Sequence, residues 1–143
     1  MLCVILGFSQ SPAQVWLTSG ESAQLDCHSS KVEGRIMWYK EQQGGSLQWI
    51  YQSYESAASD GKYSSNVSPA ANTFSLIISN VQRDDSGVYY CGLSAFLYLQ
   101  PNFGNGTRLI VTGDLCESTL RSMDEKHRKS VLMFLCLLAG MLH

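Results

Sequence analysis

Clusters of cysteine, histidine and carboxylates could bind a metal ion, and a serine, cysteine or aspartate beside a histidine could attack a substrate. The sequence contains five cysteines and three histidines. No two cysteines form a CxxC pair, and no nucleophile motif accompanies His28, His127 or His143. Metal sites need clustered ligands, and no such cluster is visible. We therefore expect no metal, no other cofactor and no enzymatic activity.

Length, composition and charge narrow the class of protein further. The 143 residues suffice for one domain of ordinary size with about 30 residues to spare. The charged share of 15% is too low for a disordered acidic or basic tail. Net charge is -2 and basic residues are mixed with acidic ones, so nucleic acid is not an expected partner. A single secreted or cell-surface domain is the leading class.

Residues 9–112 carry the pattern of β-strands. Alternation appears at Gln24–Cys27 and at Phe74–Ile78, and Arg108–Thr112 is a final strand-like run rich in β-branched residues. Clusters of turn-forming residues stand at Gln43–Ser46, Ser59–Gly61 and Pro69–Asn72. No sustained helical period interrupts them. The pattern predicts an all-β sandwich or barrel.

Four residues carry a resemblance to a known family. Cys27 and Cys91 have 63 residues between them, Trp38 follows Cys27 by eleven, and Tyr89 precedes Cys91 by two. These types at these offsets resemble an immunoglobulin domain. The resemblance implies two antiparallel sheets joined by a Cys27–Cys91 disulfide, with Trp38 and Tyr89 in the core. A disulfide also implies an oxidising compartment.

The segment before Cys91 resembles the variable type of immunoglobulin domain. Residues 85–91, DSGVYYC, match the variable-type signature D-x-G/A-x-Y-x-C. In that family the aspartate pairs with a basic residue at the foot of another strand. The resemblance implies a salt bridge between Asp85 and Lys62. The family more often has arginine there, so a point-charge contact replaces a bidentate one.

The last strand-like run resembles a joining segment. Residues 102–112, NFGNGTRLIVT, match F-G-x-G-T-x-L-x-V. Gly104 and Gly106 permit a β-bulge in the last strand. A phosphate-binding glycine loop would need a helix after it, whereas strand-forming residues follow. The wording is most similar to a T-cell receptor beta chain variable region, and the resemblance covers about residues 9–112.

A third stretch concerns pairing between chains. Residues 38–51, WYKEQQGGSLQWIY, resemble the T-cell receptor pattern W-Y-R-Q-x-x-G-x-x-L-x-x-x-Y. The family's interchain glutamine falls on Glu41, which can accept a hydrogen bond from an amide but cannot return one. The resemblance implies a heterodimer with a second immunoglobulin V domain, through a face that contains Glu41, Leu47 and Phe103.

The variable-type fold presents three loops at one end, and these are the expected ligand-binding elements. The resemblance places them at about 28–35, 52–55 and 92–102. The third is rich in apolar and aromatic residues, which marks either a binding surface or packing against the chain-pairing face. Charges in the first either contact a partner or are simply solvated. The candidate ligand-binding residues are Lys31, Glu33, Arg35, Tyr54, Glu55, Phe96, Leu97, Tyr98 and Leu99.

Two N-x-S/T sequons are present. Asn66-Val67-Ser68 lies in a polar stretch and is a possible glycosylation site. Asn105-Gly106-Thr107 lies inside the joining segment, where we expect backbone pairing to hinder modification.

The two ends fall outside the resemblance. Residues 1–8 are either the remnant of a secretory leader or the edge of an N-terminal strand. Residues 113–130 are a polar stalk or a read-through segment, and 131–143 form a short apolar tail. A helix of twelve apolar residues spans about 18 Å, less than a bilayer core of about 30 Å. The tail is either a clipped anchor or sequence normally spliced out. We favour the latter, because positive charge precedes the apolar run.

Two functions remain open. The first is an antigen-receptor variable domain at the plasma membrane. It pairs with a second V domain, recognises peptide on a presenting histocompatibility molecule, and relies on signalling chains in the membrane. The alternative is a non-rearranging V-type coreceptor, adhesion protein or innate immune receptor. Somatic joining of the V and J parts would distinguish the two.

Overall fold

The computed structural model describes residues 7–30, 34–93 and 103–113. Within them the chain forms strands and two short 3-10 helices, at Pro69–Ala71 and Arg83–Asp85. The strands are β1 (Phe8–Ser11), β2 (Gln14–Thr18), β3 (Ala23–Ser29), β4 (Arg35–Glu41), β5 (Leu47–Tyr54), β6 (Tyr63–Ser68), β7 (Thr73–Ile78), β8 (Gly87–Gly92) and β9 (Thr107–Thr112).

The strands form two sheets, which confirms the predicted all-β sandwich. One sheet has the order β1-β3-β7-β6 and the other the order β2-β9-β8-β4-β5. One pair departs from the antiparallel expectation, because β2 runs parallel to β9. The cause lies in the chain path: after β1 the chain leaves the first sheet and enters the second in the same direction as the last strand. The first strands therefore contribute to both sheets.

Strict alternation in the central strands builds the core. In β3, Ala23, Leu25 and Cys27 are buried while Gln24 and His28 are exposed. The same alternation on the other strands places apolar side chains between the sheets, where they form one large cluster. Its fully or almost fully buried members include Ile36, Trp38, Tyr51, Phe74, Leu76, Ile78, Val81, Tyr89, Leu109 and Val111.

A disulfide joins the two sheets at the centre of this core, as predicted. Cys27 on β3 bonds to Cys91 on β8, with 6.2 Å between their Cα atoms. Trp38 is wholly buried, and its Nε1 donates to Ser53 Oγ at 3.0 Å. Closing a loop of this length is worth about 4 kcal/mol in the chain-entropy model. For a small sandwich this is a large share of the free energy of unfolding.

Asp85 and Tyr89 close the end of the core opposite the predicted loops. The Tyr89 hydroxyl donates to the Asp85 carbonyl at 2.5 Å, and burial raises the pKa of Tyr89 far above its ordinary value. The Asp85 carboxylate accepts from the Gln82 backbone N–H at 2.8 Å and forms a salt bridge with Lys62. The carboxylate is nearly buried and has two donors, so it anchors the turn before β8.

Candidate functional site

The outward side of the five-stranded sheet carries an unusual set of apolar side chains. Because Trp38 and Tyr51 point into the core, their neighbours on β4 and β5 point out. Trp49 is 50% exposed and Phe103 is 38% exposed, both large values for aromatic residues. We call this surface the outer apolar face; it comprises Met37, Tyr39, Leu47, Trp49, Val88, Tyr90 and Phe103.

Three aromatic rings form the middle of the outer apolar face. Tyr39 on β4 lies opposite Tyr90 on β8 in the strand register. Phe103 packs edge-on against both, with ring centroids 5.4 Å from Tyr39 and 6.3 Å from Tyr90. Partial burial raises the pKa of Tyr39. Such ring pairs are worth about 0.5–1.5 kcal/mol each beyond burial, so the cluster is a firm platform and not a set of independent side chains.

A bulge in β5 places Trp49 on this face. Trp38 pairs with Tyr51, but the next pair along is Tyr39 with Trp49, so one residue of β5 is skipped. In a regular strand Trp49 would share the inward side with Tyr51, two residues away. The shifted register turns it outward instead, where its Nε1 donates to Met37 Sδ at 3.2 Å. The sequence reasoning did not single out Trp49, because regular alternation predicts that it is buried.

The structure brings the three predicted chain-pairing residues to this one face. Glu41 ends β4 directly opposite Leu47, and both are half-buried. Glu41 also borders an open depression of about 360 Å³ whose lining includes Tyr90 and Arg108. A carboxylate and a guanidinium therefore share the polar margin of an otherwise apolar surface. Phe103 lies further along, in contact with Tyr39.

The predicted ligand-binding residues divide into two groups. Arg35 and Tyr54 pair across β4 and β5, and the guanidinium carbon lies 5.5 Å from the Tyr54 ring centroid. Glu55 follows immediately and is exposed. These three residues lie together at one end of the sheet. The others, Lys31, Glu33, Phe96, Leu97, Tyr98 and Leu99, lie outside the described residues.

The predicted loop boundaries were wrong at their ends. Arg35 is the first residue of β4, and β5 continues through Tyr54, so most of the predicted 52–55 loop is strand. The physical reason is cross-strand pairing: Ser53 faces inward to accept from Trp38, and the β4–β5 hairpin continues to the pair Arg35 with Tyr54, beyond the start of the loop that the resemblance implied.

A bulge follows the third predicted loop, as the two glycines indicated. Tyr89 pairs with Thr107, yet Gly92, three residues on, bridges to Phe103, four residues back. The extra residue confirms a bulge between β8 and β9. Gly106 has a φ of 89°, and a Cβ there would lie 2.9 Å from Tyr90 Cε1. Glycine is therefore required both by backbone angle and by close approach.

Gln10 holds this bulge in place and was missed by the sequence reasoning. It is 6% exposed, and its Nε2 donates to the Tyr89 carbonyl at 2.9 Å. Its Oε1 accepts from the N–H groups of Cys91 at 3.2 Å and Gly106 at 3.0 Å. A Cβ on Gly104 would lie 2.7 Å from Gln10 Cγ, so that glycine makes room for the amide. No local signal marks a lone glutamine in a first strand as buried.

The described part of the chain offers neither a metal-binding cluster nor a membrane-spanning helix. Within residues 7–30, 34–93 and 103–113, His, Cys, Asp and Glu form no group of three or more that could hold a metal ion. The same residues contain no helix with the length and apolar character needed to cross a bilayer.

Two sheets of four and five strands, the inter-sheet disulfide packed on Trp38, and the tyrosine bonded back to the preceding turn define a variable-type immunoglobulin domain. Comparison with protein families agrees: the immunoglobulin V-set domain matches residues 10–112, and the chain belongs to that family. Domains of this family are typically receptor domains without enzymatic activity.

Two relatives show which proteins the chain is similar to in sequence. It is 29% identical over 108 residues to Ig kappa chain V region 2717 of Oryctolagus cuniculus, covering 73% of this chain and 96% of the relative. It is 31% identical over 110 residues to T cell receptor alpha chain MC.7.G5 of Homo sapiens, covering 72% of this chain and 39% of the relative. The chain thus resembles variable domains of both antibodies and T-cell receptors, and these relatives do not single out the beta chain.

Proposed function

We propose that this chain is the antigen-recognition variable domain of a T-cell receptor-like chain, of the beta type with its joining segment. It pairs with a second immunoglobulin V domain and binds presented peptide through the loops at one end. The observation that carries the proposal is the outer apolar face, where Trp49 is exposed beside the packed rings of Tyr39, Tyr90 and the exposed Phe103.

The character of the outer apolar face supports pairing with another domain. A sheet surface with large exposed aromatics gains free energy when a partner removes them from water, and such residues dominate binding energy at interfaces. The polar margin at Glu41 and Arg108 sets which partner fits. A partner amide or cation opposite Glu41 would satisfy its carboxylate, whereas a partner carboxylate would be repelled.

The loop end of the sandwich supports recognition. The register pairs Arg35 with Tyr54 and Met37 with Gly92, so the start of β4 and the ends of β5 and β8 lie at the same end of the sheet. The segments 31–33 and 94–102 connect to strands at this end. A peptide-presenting histocompatibility molecule is the proposed ligand.

The setting follows from the same proposal. The Cys27–Cys91 disulfide favours assembly in the secretory pathway. The plasma membrane is the proposed location, and associated membrane chains would carry the signal.

Pairing is tested by analytical ultracentrifugation of the chain mixed with antibody light-chain and T-cell receptor alpha-chain V domains. We expect Leu47→Asp to weaken association with whichever of these V domains the chain binds by at least about tenfold, because a charge enters the desolvated interface. Ser9→Asp, an equal charge on an exposed strand position of the other sheet, is the matched control and should leave association unchanged. Equal effects of the two substitutions would reject this face as the pairing surface.

A non-rearranging V-type receptor is the second candidate, and one observation favours it. Glu41 stands where the T-cell receptor pattern has glutamine, which changes the partner chemistry at the margin of the face. Sequencing the gene separates the candidates. Residues 1–112 encoded in one germline exon would establish the second, and somatic joining before Asn102 would establish the first.

A further inference from the structure

The outward side of the four-stranded sheet differs in character from the outer apolar face. Alternation on β1, β3 and β6 places small polar side chains there, and many are open to solvent. We call this surface the outer polar face; its exposed members are Ser9, Ser11, Gln24, His28, Asn66 and Ser68. The two ends of the first sequon belong to this set.

The first sequon is displayed on an accessible strand. Asn66 and Ser68 are two residues apart on β6, so both point to the outer polar face while Val67 points inward against the core. β6 is an edge strand of its sheet. Within the part of the chain that the structure describes, the Asn66 amide forms no side-chain hydrogen bond, and it is exposed.

The second sequon is engaged by the fold at each of its three positions. Asn105 Oδ1 accepts from the Gln10 backbone N–H at 3.0 Å. Gly106 packs against the Tyr90 ring. Thr107 is wholly buried, and its Oγ1 donates to the Pro12 carbonyl at 2.8 Å. Asn105 is itself exposed, but these contacts fix its amide and bury the Thr107 hydroxyl, so the folded bulge does not present this sequon as an accessible segment.

We infer that Asn66 is N-glycosylated and that Asn105 is not. The donor is an oligosaccharide linked to a lipid pyrophosphate, available in the compartment where the Cys27–Cys91 disulfide forms. The bond between Asn66 Nδ2 and the anomeric carbon of the sugar forms, and the bond from that carbon to the phosphate oxygen breaks. The electron pair leaves with the lipid pyrophosphate, Nδ2 loses one proton, and nothing is oxidised or reduced.

The modification has a consequence for how the domain associates. An oligosaccharide is bulky and hydrated, so it keeps proteins away from the outer polar face. It also blunts β6, whose unpaired backbone groups would otherwise be open to pairing with another chain. Docking is then left to the opposite sheet and the loop end. This inference does not depend on the proposed ligand or partner.

The experiment maps both sites in one sample. The full chain, placed behind an export signal, is produced in cultured animal cells. Disulfide-bonded chain is recovered from the medium and from the secretory compartments. Enzymatic release of N-glycans converts each glycosylated asparagine to aspartate, which peptide masses then report. We expect aspartate at position 66 and asparagine at 105. Because Asn105 precedes Gly106 and such a pair also deamidates spontaneously, an untreated sample is analysed beside the enzyme-treated one. Asparagine at position 66, or aspartate at 105 that forms only in the enzyme-treated sample, would overturn the inference.

Sequon variants test the same assignment independently, through the electrophoretic mobility of the chain before and after glycan release. Asn66→Gln and Ser68→Ala remove the same sequon from either end, and both positions are exposed, so folding should be preserved. Each should abolish the mobility change caused by glycan release, whereas Asn105→Gln should retain it in full. A mobility change that persists in both sequon variants would place the glycan elsewhere and reject Asn66.

Discussion

The two outward surfaces of this sandwich share a core but have opposite chemistry. On the five-stranded sheet, Trp49 and Phe103 are 50% and 38% exposed; Phe103 packs on two tyrosine rings and Trp49 contacts Met37. On the four-stranded sheet, outward positions are mostly serine, threonine and other polar residues, and a half-buried Ile77 is an apolar exception. Only the first surface would gain much free energy from being covered by a partner.

The difference shows how one alternation rule serves two purposes. Inward positions of both sheets are filled mainly with apolar side chains, and these supply much of the free energy of unfolding. Outward positions are free of that demand, so their chemistry reflects what each surface contacts. Asp26 illustrates this on the outer polar face: it accepts from Ser75 Oγ at 2.5 Å and from Gln24 Nε2 at 3.1 Å. These hydrogen bonds lie within the sheet itself.

Removing the disulfide should have the largest effect, because it disturbs both surfaces at once. The double variant Cys27→Ala, Cys91→Ala is expected to lose about 2–5 kcal/mol of stability and to unfold near physiological temperature. Thermal and urea unfolding measure this, with the intact chain under oxidising conditions as control. An unchanged melting temperature would show that the core holds the two sheets together without the bond.

The next effect concerns the outer apolar face itself. Trp49→Ala should weaken pairing by about 2 kcal/mol, roughly thirtyfold, since a large exposed tryptophan is a typical interface anchor. Tyr54→Ala is the matched control: it also removes an exposed aromatic from β5, but at the loop end, 40% exposed and stacked with Arg35. Its effect on pairing should be at least about fivefold smaller. Titration by ultracentrifugation compares them, and a reversed order would move the interface toward the loops.

The smallest effect is expected on the outer polar face. Ser75→Ala removes the hydroxyl that donates to Asp26, which should cost about 0.5–1.5 kcal/mol of stability. Ser64→Ala, on the neighbouring β6, deletes a hydroxyl that forms no side-chain hydrogen bond among the described residues and should cost less. Neither should alter pairing. A pairing defect in either variant would contradict the division between the two surfaces.

The core of the fold was predictable because its residue types are rare and their roles are local to the sandwich. Cysteine and tryptophan at these offsets have few structural alternatives, so the sequence positions of Cys27, Trp38 and Cys91 alone indicate two facing sheets. The glycines of the joining segment likewise predicted the bulge: backbone angle and space both require Gly106, and the close approach of Gln10 requires Gly104. Each of these signals consists of residue types at fixed offsets along the sequence, so it can be read without knowing which strands pair.

Gln10 and Trp49 were not predictable, for a physical reason that they share. Gln10 is buried because of partners 79 to 96 residues away, which no pattern in the first strand reveals. Trp49 is outward because a bulge opposite Trp38 reverses the expected side. In both, the environment depends on how strands pair: across distant strands for Gln10, and through the irregular register between β4 and β5 for Trp49. The beta-chain assignment rests on sequence motifs alone, since the relatives compared are a kappa chain and an alpha chain.

The bridge between Gly92 and Phe103 has a consequence for the diversity that this scaffold can carry. Together with the hydrogen bond from the Gly104 N–H to the Cys91 carbonyl at 2.8 Å, it closes the chain on either side of residues 94–102. That closure uses backbone atoms alone and is independent of the enclosed side chains. Each doubling of an enclosed length costs only about 0.6 kcal/mol of closure entropy. One sandwich can therefore hold a whole repertoire of insert lengths and sequences at nearly constant stability.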